Sequence, residues 1–292
     1  MKTEHPKVSR GNLCDMFGVS RQAYYQHRQR KSKAAFEAEV VLNEVIKLRK
    51  DQRRIGTRKL YIHLKEVIER HGIKMGRDAL FDLLREHNML VRRRRRKVKT
   101  TDSAHPWRKY PNLTKTYQPN GPNQLWVSDI TYLDTDEGFV YLFLIADAYS
   151  RKVVGYHTSF NMEAVSALAA LRMALKQLDK GQKPIHHSDR GSQYCSYEYT
   201  AVLKENSLPI SMSENGDPWE NALAERLNGI LKNDLLPEKI STKCEALELV
   251  HHYIKIYNSV RLHSSVENLT PDQAHKRTGP LRRLWQKENS EK

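Results

Sequence analysis

Three acids in this chain stand where carboxylates could gather around a hard cation. Asp129 sits inside Trp126-Val127-Ser128-Asp129-Ile130-Thr131-Tyr132, a strand-forming run in which an ionised carboxylate is costly to bury unless paired or metal-bound. Asp189 follows Ile185-His186-His187-Ser188 and opens the turn Arg190-Gly191-Ser192, and ligands of α/β sheets usually sit at strand ends. Glu225 falls on a helix expected from Pro218 to Leu236, opened by Asp217 as cap, Pro218 and the capping-box acid Glu220, and closed by Pro237. On that helix Asn221, Glu225, Asn228 and Lys232 form a polar stripe opposite Leu223, Leu227, Ile230 and Leu231. Lys232 is expected on Glu225's face, about 10 Å further along. Three neighbouring carboxylates repel unless cations lie between them. Oxygen-seeking Mg²⁺ (or Mn²⁺) is the ion such a set would take. Two ions about 4 Å apart could activate an attacking oxygen and stabilise a leaving one in phosphodiester exchange.

Other groups read more simply. Asp134, Asp136 and Glu137 belong to a turn, and Asp147 ties the turn Ala148-Tyr149-Ser150. His186 and His187 are expected to hydrogen-bond rather than to bind an oxygen-preferring metal.

The elements that must position the acids follow from the texture of the chain. Residues 125–134, 138–146 and 151–158 read as three strands joined by short turns, an antiparallel meander. A helix is expected over 162–178, a strand over 185–188, a helix over 197–206 and a strand over 209–212. That order predicts an α/β, ribonuclease-H-like core with a mixed five-stranded sheet, in which the first strand neighbours the fourth and brings Asp129 beside Asp189.

The net charge of +16 is distributed unevenly: residues 1–123 hold 30 Lys and Arg against 12 Asp and Glu, the rest 20 against 22. A basic arm on a near-neutral body is the footprint of DNA binding. Within the arm, 1–32 reads as a helix-turn-helix-like segment, with Ser9 and Ser20 as caps, Gly18 at the turn, and Arg21 and Gln22 as groove contacts. Residues 33–91 read as an all-α basic DNA-binding domain, with apolar stripes such as Phe36, Val40, Val41, Val45 and Leu48 facing its core. Arg53, Arg54, Arg58 and Arg77 crowd its turns and helix starts, where phosphates could bind. Arg92, Arg93, Arg94, Arg95, Arg96 and Lys97 begin a basic, proline-containing linker over 92–123 that would lie along DNA. The catalytic domain spans 124–278, and 279–292 is a tail. Mean hydropathy is −0.73, and no apolar run approaches the roughly 20 residues that span a bilayer. Cys14, Cys195 and Cys244 are too scattered for a disulfide framework or a zinc site, which suits a reducing cytosol.

Asp189 and Glu225, with 35 residues between them, have the D,D-35-E spacing of integrases and many transposases. The runs Trp126–Tyr132, His187-Ser188-Asp189-Arg190-Gly191-Ser192-Gln193-Tyr194 and Asn221-Ala222-Leu223-Ala224-Glu225, then Tyr257-Asn258, Arg261, His263 and Thr270-Pro271, resemble the second-frame transposase of the insertion-sequence-three family. Leu262 stands where Pro is usual, and the zinc module of retroviral integrases is missing. The resemblance implies a DDE catalytic core of the retroviral-integrase type, with Asp129, Asp189 and Glu225 as catalytic metal ligands and Lys232 on transposon-end DNA. It also implies double-stranded DNA partners, namely terminal inverted repeats and target, with homo-oligomers on DNA, an upstream-frame partner and work at the nucleoid in the bacterial cytosol. A ribonuclease-H-type nuclease would share fold and metals without needing the basic arm. A DNA-binding regulator would keep the arm but need no complete triad.

Overall fold

The computed structural model describes residues 9–91, 107–214 and 221–284. They divide into two compact units, Met1–Lys50 with Ile55–Arg92, and Asp51–Arg54 with Arg93–Lys292.

In the first unit, α1 (Arg10–Met16) is capped by Ser9, whose hydroxyl accepts the Asn12 N–H at 3.1 Å. The chain turns at Gly18 with φ +65°. Ser20 then accepts the Ala23 N–H at 3.1 Å and opens α2 (Arg21–Asp51). One uninterrupted helix thus crosses the boundary expected at 32/33, because neither Gly nor Pro interrupts Arg21–Asp51. Its first half, residues 21–36, is exposed throughout, and Phe36, expected in the core, lies in solvent. Its second half buries Val41 and Val45 against Leu60, Leu64 and Ile68 of α3 (Thr57–Arg70) and Leu80 and Leu84 of α4 (Arg77–Glu86). Those are i, i+4 faces, so burial supplies the stability that propensity alone would not.

The second unit is built on one sheet of β1 (Leu125–Thr135), β2 (Gly138–Asp147), β3 (Val153–Ser159), β4 (Ile185–Ser188) and β5 (Ile210–Met212), ordered β3-β2-β1-β4-β5. The pairs β1–β2 and β2–β3 are antiparallel, while β4 and β5 add parallel strands beside β1. This is the α/β ribonuclease-H-like fold with its mixed five-stranded sheet. One face packs Leu142 and Leu144 against Leu227 of α8 (Ala222–Ile230) and Tyr253 and Tyr257 of α9 (Lys243–Ser259). The other face packs Trp126, Phe143 and Ile145 against Leu168 and Leu171 of α5 (Ala164–Leu175) and Tyr199 and Leu203 of α7 (Tyr197–Glu205). Gly155 lets α5 approach β3 closely: a Cβ there would lie 2.3 Å from the Ala170 carbonyl oxygen. A short helix, α6 (Ser192–Cys195), follows β4, and α10 (Pro271–Ala274) is opened by a capping box between Thr270 and Gln273. Residues 107–123 hold no helix or strand, as expected of a linker, yet they are pinned. Pro111 accepts the Met212 N–H at 3.3 Å and the Leu113 N–H donates to Ser211 Oγ at 2.9 Å, covering the outer edge of β5. No helix among the described residues is long and apolar enough to cross a membrane.

Candidate active site

β1 changes character halfway along. Leu125–Val127 are buried and pair with β4, Trp126 and Val127 with β2 as well, whereas from Ser128 onward β1 pairs with β2 alone. Asp129 stands two residues past the last pairing with β4, partly buried beside the C-terminal end of that strand. β4 delivers Asp189 at that end, one residue past Ser188.

Glu225 arrives from the other direction, on the first turn of α8. That helix is fixed to β1 by two asparagine amides. Asn221 Nδ2 donates 3.0 Å to the Ser128 carbonyl, and Asn228 Nδ2 donates 2.7 Å to Asp129 Oδ2. Both asparagines are buried, so each amide bond is made away from competing water. Asp189 is held locally, its Oδ1 accepting the Gly191 N–H at 3.0 Å. Side-chain space at Gly191 is taken, since a Cβ there would sit 3.0 Å from that same oxygen.

The electrostatics follow from this packing. Burial pushes the Asp129 carboxyl up to about 7, and the facing charge of Asp189 and then that of Glu225 push the same way, against the donors Ile130 N–H and Asn228. The three acids are within electrostatic reach of one another. Among the described residues, however, no group of three or more His, Cys, Asp or Glu side chains is arranged as it stands to hold a metal ion.

Behind the acids lies a neutral network. His186 Nε2 is shared between Ser128 Oγ at 2.7 Å and Tyr199 OH at 2.8 Å, and His187 Nδ1 meets Ser211 Oγ at 2.9 Å. Both histidines hydrogen-bond, as expected. Asp147 accepts from Ser150 N and Oγ, both at 2.7 Å, and from Asn123 N at 2.8 Å, tying its turn as expected.

Lys232 lies just past α8. After Ile230 the α-helix widens into a π-turn, Leu231–Leu235, closed by Leu236 N–H onto the Leu231 carbonyl at 2.9 Å. Lys232 Nζ stands 4.2 Å from the centroid of the Tyr132 ring on β1. The caps expected from Asp217, Pro218 and Glu220 lie outside the described residues, as do Arg92, Arg93, Arg94, Arg95, Arg96 and Lys97. Arg21 and Gln22 are exposed on the first turn of α2, Arg58 and Arg77 on those of α3 and α4, with Arg77 Nε donating to Asp78 at 2.9 Å. Arg53 and Arg54 lie in the turn between α2 and α3.

Asn228 is the residue whose contact sequence reasoning missed. Its position on the polar stripe with Glu225 was the available signal, since a polar residue held on the buried side of a helix needs a partner.

Comparison with known proteins agrees with this architecture. Family models described as "Integrase core domain" match residues 119–218 and 206–271. An insertion element IS600 31 kDa protein of Shigella sonnei is 38% identical over 89% of this chain and 96% of its own length. The transposase for insertion sequence element IS629 of Shigella sonnei is 31% identical over 91% of both chains. Transposase InsF for insertion sequence IS3A of Escherichia coli is 40% identical over 55% of this chain and 57% of its own. Likeness of this extent, on a ribonuclease-H-like sheet, makes the chain a member of the insertion-sequence-three family of transposases, polynucleotidyl transferases with a DDE integrase core.

Proposed function

We propose that Asp129, Asp189 and Glu225 are the catalytic and metal-binding residues of a DNA transposase that cleaves at transposon ends and transfers the freed 3′-OH to a second DNA phosphate. The supporting observation is Asp129, a carboxylate pushed up to about 7 by burial and by the two acids facing it. A divalent cation relieves such a group, and an all-carboxylate donor set is what Mg²⁺, or Mn²⁺, takes. Two bound ions would supply activation of the attacking oxygen and charge stabilisation at the leaving oxygen.

The chain's own residues do the positioning. Asn228 fixes Oδ2 of Asp129, Gly191 orients Asp189, and α8 carries Glu225 on a helix anchored at Ser128. In the first step a water oxygen bonds to phosphorus, the P–O3′ bond breaks, and the 3′ oxygen leaves with a proton. In the second, that 3′-OH bonds to another DNA phosphorus and one P–O bond of the target strand breaks. Each step makes one bond and breaks one, with no covalent enzyme intermediate. The family likeness suggests that the element's other end is the first target, giving a circle that later integrates.

The DNA is double-stranded, comprising terminal inverted repeats and target. Lys232, Arg21, Gln22, Arg53, Arg54, Arg58, Arg77 and the Arg92–Lys97 run would hold it, and a homo-oligomer, with an upstream-frame product, would bring two ends together. Asp129→Asn, Asp189→Asn and Glu225→Gln should each keep DNA binding and lose Mg²⁺-dependent cutting and joining of end-bearing oligonucleotides. Full activity in any one of them sinks the triad. Cutting without joining in the wild type would instead mark a nuclease.

A further inference from the structure

Beyond the acids, the half of β1 that runs past β4, paired with β2 alone, carries an apolar surface that the core does not use. Tyr132 pairs with Tyr141 and Asp134 with Phe139, so Tyr132 and Phe139 are diagonal neighbours on one face of the hairpin. Their rings meet edge to face at 5.0 Å and 68°, yet 48% of Tyr132 and 50% of Phe139 remain exposed. Lys232 Nζ lies over the Tyr132 ring. At the hairpin turn, Asp136 is paired with Lys239 at 3.1 Å, Glu137 accepts the Lys243 N–H at 2.8 Å, and Asp134 is exposed along the strand.

Rings of this kind beside a lysine match how proteins hold single-stranded nucleic acid: a cation for the phosphate and a ring face for the base. Tyr132 lies three residues, about 10 Å, along β1 from Asp129 and leaves the opposite face of the strand. Bases inside a duplex have no free face, so the occupant must be splayed out of the helix. We propose that Tyr132 and Phe139, with Lys232, form a stacking platform for an unpaired nucleobase of the DNA strand that the acidic site works on. This rests on the reading of Asp129, Asp189 and Glu225 as the catalytic site. Its test reads binding rather than turnover, so the two can fail separately.

The full chain would be titrated, without divalent cation, with a blunt duplex and with the same duplex bearing a short 3′ or 5′ thymidine overhang. A parallel overhang series with 5-iodouracil would be photocrosslinked and mapped by mass spectrometry. The wild type should prefer an overhang to the blunt end, and crosslinks should fall on Tyr132 or Phe139. Tyr132→Ala and Phe139→Ala should each lower that preference about tenfold, and Tyr132→Trp should keep it. Phe139→Leu, which preserves an apolar side chain, guards against misfolding and should lose most of the preference as well. Equal affinity for blunt and overhung DNA overturns the proposal, as do crosslinks confined elsewhere. So does a change of oligomeric state in the variants with unaltered DNA preference, which would make the patch an interface between copies of this chain.

Discussion

His186 shows how much a single buried group can govern. It is fully enclosed, with Nε2 bonded to Ser128 and Tyr199 and with Nδ1 lacking a partner. Burial first, and His187 second, hold it down at about 3, so it stays neutral in the fold. The unfolded chain takes up that proton below about 6.5 while the folded one does not, so the contribution to stability is lost as pH falls from about 6.5 toward 3. Asp129 acts with the opposite sign. Its folded carboxyl titrates near 7 against an ordinary 3.8, so stability falls as pH rises through that window. Comparing wild type with His186→Gln cancels the Asp129 contribution. In urea unfolding at pH 7.5 and 5.5, the wild type should lose up to about 1.4 kcal/mol more than the variant for each pH unit below 6.5. A variant as acid-sensitive as wild type would refute the role. The sequence indicates that His186 should hydrogen-bond, because a metal preferring oxygen would not claim it. Its partners were not legible, since Ser128 lies on another strand and Tyr199 on a helix, brought close only by the parallel pairing of β1 and β4.

At the scale of elements, the π-turn after α8 links the acidic site to α9. Arg261, buried just past α9, donates 2.7 Å to Asp234 Oδ2 within that turn. Removing the guanidinium leaves a carboxylate without its counter-charge, a loss of about 3–5 kcal/mol for a fully buried pair. The Asp234 side chain is 27% exposed, so Arg261→Leu should cost nearer about 2–3 kcal/mol in chemical denaturation. Asp234→Asn strands the more deeply buried partner, Arg261 at 6% exposed, and should cost at least as much, so a clearly smaller loss in Asp234→Asn would argue against this account. The strands were legible because alternation and short turns are local signals: β4 falls where expected, over 185–188. The widening at Leu231 was not, because one extra residue in a turn leaves no mark on an apolar stripe. Nor was the continuity of α2, whose exposed first half has no apolar face to reveal one long helix.

At the scale of the whole molecule, charge and chemistry occupy different stretches of chain. The first 123 residues carry a balance of +18 and the remainder −2, yet the acids and their anchoring asparagines all belong to the second group. Such a division makes affinity and catalysis separable. Affinity should come from counterions released by basic side chains, each phosphate neutralised on a duplex adding about 0.9 to the slope of log K against log salt. Replacing Arg92–Lys97 by six glutamines in the full chain removes at most six such contacts. The slope should then become shallower by up to about 5, with affinity falling alike on end-bearing and random duplexes. Phosphate contacts position a protein without reading sequence, so any preference for the element's ends should survive. Filter binding across salt concentrations on both duplexes measures slope and preference together. An unchanged slope would place the basic run off the DNA, while a lost preference with the slope intact would make it a reader of bases.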